Sequence, residues 1–370
     1  MQEDKREHAM PNDLTSAIGV ISGTSMDGID VALVQTDGRA RVKPGPGRIY
    51  PYEPALRAEL LTLIADPARC EHDGLAALDA AVSDAHAGAV RQFIGDFGID
   101  RVDLVGIHGQ TILHRPERRF TRQLGDGPRI AAALGHDVVY HFRHADVAAG
   151  GEGAPFASLY HRALATGLAQ PVMVLNLGGV GNVTFLDGDS IVAFDTGPAS
   201  ALLDDFVKRR RGLAYDEGGA LAASGKADMG LVARLMQHPY FARPAPKSLD
   251  RNDFHAWAAA VEGMSDADGA ATLAEFTIAS VAAALDHVDR PPQRWLVTGG
   301  GRHNANFMRR LADVLGVPVD PVEAVGWNGD FIEAECFGYL AVRSRAGLPL
   351  SLPGTTGVPQ PLTGGEFCPA

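Results

Sequence analysis

The sequence predicts an α/β protein of two similar lobes facing each other across a cleft. Three observations carry this. At 370 residues the chain is long enough for two substantial cores. Residues 19–34 and 172–186 share one pattern, an apolar strand, a Gly-rich polar turn and a returning apolar strand, so the second half weakly repeats the first. After each of these, apolar runs alternate with Ala- and Leu-rich segments of helical spacing. The expected lobes are 14–169 and 170–346, the second with a helical insertion at about 212–290. The last helix is free to pack back on the first lobe, and 347–370 forms a Pro/Gly-rich tail.

In the first lobe, 19–22 and 29–34 read as the strands of a hairpin, and 41–50 as a third strand with Pro44 and Pro46 in its way. Helices follow at 55–64 and 75–97. Residues 102–108 form a short apolar strand that ends in a polar loop, Gly109-Gln110-Thr111. Strands at 120–124 and 138–142 enclose a short helix at 130–134, and a Gly/Ala-rich stretch over 146–155 leads into a helix at 156–167. The second lobe begins with a strand at 172–177 and turns through Gly178-Gly179-Val180-Gly181-Asn182. A strand at 190–194 and a helix at 199–211 follow its returning strand. Past the insertion, 295–298 runs into Gly299-Gly300-Gly301, and helices span about 304–315 and 331–345.

The net charge of −12 argues against nucleic acid and anionic membrane as partners. No run approaches the length of a membrane span, and the charged opening residues 1–12 do not resemble a signal peptide. Cys70, Cys336 and Cys368 are odd in number and far apart, which fits a reducing cytoplasm rather than a disulfide framework or a cysteine zinc site.

The chemistry sits in three loops. Gly23-Thr24-Ser25-Met26-Asp27-Gly28-Ile29-Asp30 presents backbone N–H groups and hydroxyls suited to phosphate oxygens, and Asp27 and Asp30 could hold magnesium through water. Phe194-Asp195-Thr196-Gly197-Pro198 places a carboxylate where a strand meets a helix, whose free N–H groups could favour phosphate. Gly299-Gly300-Gly301 would let backbone lie flat against a base or ribose. Each has a plain structural explanation on its own: a tight hairpin, a helix N-cap at Asp195 or Thr196, a strand-to-helix turn. Together they lay out an ATP site for phosphoryl transfer, where positioning and charge stabilisation do most of the catalysis.

Residues 23–30 closely resemble the signature of the anhydro-N-acetylmuramic acid kinase family. Further blocks resemble it in order: His108-Gly109-Gln110-Thr111, Asp146 to Gly151, Gly153-Ala154-Pro155, Leu175 to Gly179, Phe194 to Pro198, Pro246-Lys247-Ser248, Gly299 to Gly301 and Asp330 to Ala334. The resemblance implies the duplicated, ribonuclease H-like ATPase fold of actin, hexokinase and heat-shock chaperones. It implies a phosphotransferase with an alcohol acceptor, using ATP and Mg. Such a kinase opens the 1,6-anhydro ring with water and phosphorylates O6, giving N-acetylmuramic acid 6-phosphate in peptidoglycan recycling. By resemblance, residues 23–30 with Gly178, Gly179, Gly197, Gly299 and Gly300 bind the nucleotide. Asp195 is then the base that activates water, and His108, Gln110, Thr111, Arg143 and Glu333 face the sugar.

The chain departs from the family pattern at Ala199-Ser200, where Gly-Asn is usual, at Tyr140-His141, and at Glu152, where glutamine is usual. Kinase activity on another sugar, or an ATP-binding regulator with degraded catalysis, are the alternatives; the presence of both Asp195 and Glu333 favours an enzyme. His108 and His114 lack further ligands at metal spacing, so no protein-bound transition metal is expected. A homodimer is left open.

Overall fold

The computed structural model describes residues 14–370 apart from 24, 25, 27, 72, 73 and 250–254. Strands β1 (Thr15–Ser22), β2 (Ile29–Thr36) and β3 (Val42–Tyr50) form an antiparallel meander. β4 (Leu104–Arg115) then runs parallel to β1, with β5 (Phe120–Leu124) folded back on its outer half. β6 (Val138–Tyr140) lies parallel to β4 on the far side. In the second sheet β7 (Val172–Leu177), β8 (Val180–Asp187) and β9 (Ser190–Pro198) repeat the meander. β10 (Arg294–Thr298) and β11 (Val319–Pro321) add parallel strands beyond β7. The two orders, β3-β2-β1-β4-β6 and β9-β8-β7-β10-β11, are the same permutation. The repeat read from two hairpins therefore extends over both sheets. Pro44 and Pro46 are tolerated because β3 is an edge strand, which leaves a missing N–H without consequence.

Three cores hold these layers. α1 (Pro54–Ile64), α2 (Pro67–Glu71), α3 (Ala76–Phe97) and α4 (Gly127–Leu134) cover one face of the first sheet, burying Val20, Val31, Leu60 and Phe93. α5 (His144–Ala148) and α6 (Ser158–Leu164) link the sheets; the second helix is shorter than its sequence suggests. The outer face of the second sheet carries α7 (Ser200–Arg211) and the insertion. The insertion comprises α8 (Ala220–Ser224), α9 (Met229–Leu235), α10 (Pro239–Ala242), α11 (His255–Ala258) and α12 (Asp266–Ala282). With α13 (Ala305–Leu315) they bury Phe206, Phe276, Trp295 and Phe307. Contrary to the sequence expectation, the stretch Asp266–His287 is long and apolar enough to cross a membrane; it is instead mostly buried in this core.

The middle core joins residues of both sheets, among them Ala17, Val34, Val174 and Leu296, around α6 and α14 (Ile332–Arg345). α14 lies directly on the first sheet. A Cβ on Gly19 would stand 1.8 Å from the Ala334 carbonyl oxygen, and one on Gly106 2.1 Å from that of Phe337. Only glycine permits this approach. The tail is structured as well: α15 (Pro353–Thr356) packs on β9, and β12 (Glu366–Cys368) pairs antiparallel with β6, extending the first sheet.

One local reading is corrected. Gly109-Gln110-Thr111 is strand rather than loop, because β4 continues through it with β1 on one side and β5 on the other. Gly109 takes φ +80 at the register shift, where a Cβ would meet the Leu124 carbonyl at 2.3 Å.

Candidate active site

The first hairpin turn is held from within. The Gly23 carbonyl accepts from Met26 N at 3.1 Å and from Gln110 Nε2 at 3.3 Å. Ser22 Oγ donates to the Gly28 carbonyl at 2.9 Å, and Arg57 Nε to that of Met26 at 2.8 Å. Met26 and Ile29 bury their side chains in the first core, so only their backbones remain for a ligand. Gly28 sits against β3, where a Cβ would meet the Tyr50 oxygen at 2.9 Å, and Asp30 lies opposite Ile21 in the β1–β2 ladder. Thr24, Ser25 and Asp27 fall outside the described residues.

The second lobe contributes an open glycine floor. A Cβ on Gly178 or Gly179 would meet nothing closer than 3.5 Å, and one on Gly300 nothing within 4 Å. A methyl group would fit at all three positions, so packing against the protein does not demand these glycines. Gly299 and Gly301 serve packing instead: their Cβ atoms would stand 2.3 Å from Asn176 Oδ1 and 2.6 Å from Leu177 Cβ. Gly197 likewise faces Ser280, at 2.9 Å. The amides of Ala199 and Ala201 donate to the Gly179 carbonyl and that of Ser200 to Gly178, so these first N–H groups of α7 are not free for phosphate as expected. The cap at Asp195 or Thr196 is also absent; Ala199 occupies the N-cap, and Asp195 remains in β9.

Asp195 is the best-built group in the cleft. It is 6% exposed. Its Oδ2 accepts from Leu249 N at 2.9 Å, its own N–H donates to the Lys247 carbonyl at 2.9 Å, and its carbonyl accepts from Tyr240 Oη. Burial pushes the carboxyl up to about 7, with the Leu249 amide and Arg143 pulling down and Glu152 adding to the rise. A carboxylate at that value suits proton transfer near neutrality.

Arg143 faces Asp195, Glu333 and Asp146, whose charges oppose the lowering that burial imposes on its guanidinium. Its Nε donates to His108 Nε2 at 2.9 Å and its Nη1 to the Gly153 carbonyl, leaving Nη2 without a hydrogen-bond partner among the described residues. His108 Nδ1 lies 2.9 Å from the Gly109 carbonyl. A carbonyl only accepts, so Nδ1 carries the proton and Nε2 is the acceptor for Arg143. Burial and Arg143 hold the ring far below its ordinary pKa, and it is neutral. Both nitrogens are thus engaged within the protein. Gln110 is similarly committed: its Nε2 donates to the Gly23 and Thr111 carbonyls and its Oε1 accepts from Tyr52 Oη, while Thr111 Oγ1 accepts from Gln123 Nε2.

Glu333 opens the first turn of α14 toward the cleft and accepts from Asn176 Nδ2 at 3.0 Å. It reaches solvent yet is ringed by protein, which raises its carboxyl; Arg143 and Asn176 oppose the rise. Asp195 and Glu333 are therefore both brought near Arg143. Asn176, Leu249 and Glu152 were given no role. The motif blocks around 175–179 and 246–248 were the available signals for the first two.

Two mixed sheets of one strand order define the class as a duplicated α/β protein, and the family match makes it a kinase. The family model described as anhydro-N-acetylmuramic acid kinase matches residues 15–370. The protein of that name from Rhodospirillum rubrum is 53% identical over 356 residues, covering 96% of this chain and 94% of its own. Its counterpart from Acidiphilium cryptum is 53% identical over 355 residues, covering 95% and 97%. The chain belongs to the anhydro-N-acetylmuramic acid kinase family, and ATP use follows from membership of that kinase family. Among solved structures, component A of the (R)-2-hydroxyglutaryl-CoA dehydratase of Acidaminococcus fermentans aligns at TM-score 0.49 and 10% identity, covering 90% of this chain and 99% of that one. A ROK family glucokinase from Streptomyces griseus, solved with glucose and AMPPNP, aligns at TM-score 0.39 and 17% identity, covering 89% and 99%.

Proposed function

We propose that the protein cleaves 1,6-anhydro-N-acetylmuramic acid with water and phosphorylates O6 from ATP, in recycling of the bacterial cell wall. Close relatives carry that enzyme's name, and the observation that carries the chemistry is Asp195, buried, amide-held and raised to about 7. Asp195 takes a proton from water as the water oxygen bonds to C1. The C1–O6 bond breaks toward O6, and O6 bonds to the γ-phosphorus while ADP leaves. Arg143, aimed by His108, offers Nη2 to the charge that develops on the sugar, and Glu333 with Asn176 holds a sugar hydroxyl. The open backbone at Gly178, Gly179 and Gly300 takes the nucleotide, opposite the first hairpin turn. Asp30 and Asp27 would hold Mg through water, and the bound ion would supply positive charge for the phosphates. Gly197 and Gly299 support these loops from behind.

The test is ADP release with Mg-ATP, with and without the anhydro sugar, and the mass of the product. The expected product gains one water and one phosphate group. Gain of phosphate without water would make it an ordinary sugar kinase. Asp195→Asn should cut turnover by on the order of 10²–10⁴-fold while nucleotide still binds; a near-normal rate would remove Asp195 from the base's role.

A further inference from the structure

The catalytic scheme gives Glu152 no task. Its backbone is fixed twice: the N–H donates to the Thr356 carbonyl at 2.6 Å, and the carbonyl accepts from His114 Nε2 at 2.9 Å. From this anchor the side chain crosses to the insertion. Oε2 accepts from Ser248 Oγ at 2.6 Å and Ser248 N at 3.1 Å, and Oε1 stands 3.2 Å from Arg243 Nη2. The next amide along, Leu249 N, is the donor to Asp195 Oδ2. Two consecutive N–H groups thus serve two different carboxylates, and the Asp195 amide returns to Lys247 on the same strap.

We infer that Glu152 is a positioning residue for Asp195: it pins the 247–249 strap so that the Leu249 amide stays on Oδ2, and it keeps a fixed negative charge beside that carboxylate. The inference rests on the reading of Asp195 as the base. Among the described residues, the other charged or titratable groups around Asp195 are Arg143 before α5, Tyr240, Arg243 and Lys247 from the insertion, His287 behind Phe194, and Glu333 across Arg143. Lys247 turns its Nζ away, onto the Tyr240 and Phe241 carbonyls and His287. Among the described residues, Glu152 is the negative charge that raises Asp195 directly.

The sign follows. A carboxylate neighbour disfavours ionisation of Asp195, and glutamine at 152 keeps an acceptor for Ser248, so Glu152→Gln removes the charge, leaves the strap pinned and lets the base ionise at lower pH. Removing Arg243, which offsets Glu152, does the opposite. The experiment is the pH profile of kcat/KM for sugar-dependent ADP release. The acid limb should move down by roughly half a pH unit in Glu152→Gln and up in Arg243→Gln. A purely structural role would not move the two in opposite directions. Limbs that coincide with the unaltered protein's, or that move together, overturn the inference. If Glu152→Gln fails to fold, Ser248→Ala carries the test: it removes the hydroxyl that Glu152 Oε2 accepts from, loosens the Leu249 amide on Oδ2 and should move the limb up, and an unmoved limb overturns the inference. Asp195→Asn is run in parallel. If it still turns over at near the normal rate, the base reading fails; if it is dead while the limbs coincide, only the role of Glu152 fails.

Discussion

Glu335 tests how the middle core is built. It lies on α14, 1% exposed; Oε2 accepts from Tyr160 Oη at 2.7 Å, and Oε1 is buried with no partner among the described residues. Burial pushes the carboxyl from the ordinary 4.5 up to about 7, with Tyr160 pulling the other way. The folded protein therefore holds this proton more tightly than the unfolded chain does. The group's contribution is complete below pH 4.5 and is lost as pH rises through 7. Between pH 5 and 8 the loss comes to about 2.5 kcal/mol, at about 1.4 kcal/mol per pH unit. Glu335→Gln cannot ionise. Its carbonyl keeps the Tyr160 bond, and its amide inherits the unpartnered position, a cost that does not vary with pH. Asp195, also raised to about 7, contributes equally to both proteins and cancels. Urea unfolding followed by fluorescence of the three tryptophans at pH 5 and pH 8 reads the double difference. It should favour the variant by about 2.5 kcal/mol at the higher pH. A double difference under about 1 kcal/mol would refute the reasoning.

Gly19→Ala should destabilise by about 3 kcal/mol, since the new methyl would stand 1.8 Å from the Ala334 oxygen and force α14 off the sheet; an unchanged urea midpoint would contradict that packing. Gly300→Ala is the complementary case, because its Cβ meets nothing within 4 Å of protein. Its melting temperature should stay put while KM for ATP rises roughly tenfold, by a steric cost of about 1.4 kcal/mol against the ligand. An unchanged KM would remove Gly300 from the nucleotide site.

What was legible in the sequence was whatever obeyed a period or a turn rule. The two meanders showed through β-branched runs around glycine turns, and both sheets followed from them. β4 was cut short because Gly109 and two polar residues mimic a loop, while the ladder partners that keep it extended come from distant sequence. Glu333 and Glu335 look alike in the sequence, but two residues on a helix are about 200° apart, so one meets the cleft and the other the core. Arg143 and His108 were each placed at the site; that the second accepts from the first depends on a tautomer set by the Gly109 carbonyl. The insertion read as packing helices, yet its strap supplies the amide that holds Asp195. The tail gave no periodic signal, and only pairing with β6 makes part of it a strand.

That tail, with α14, bears on how the protein is made. Synthesis runs from the first residue onward, and domains commonly fold as they emerge. Here the first sheet receives its covering helix only with residues 332–345 and an edge strand only with 366–368. Until then the β1–β4 surface around Gly19 and Gly106 lacks the helix that covers it, and the second sheet lacks the same helix against Val174 and Leu296 and α15 against β9. Both sheets are closed by the same late segment, residues 332–368.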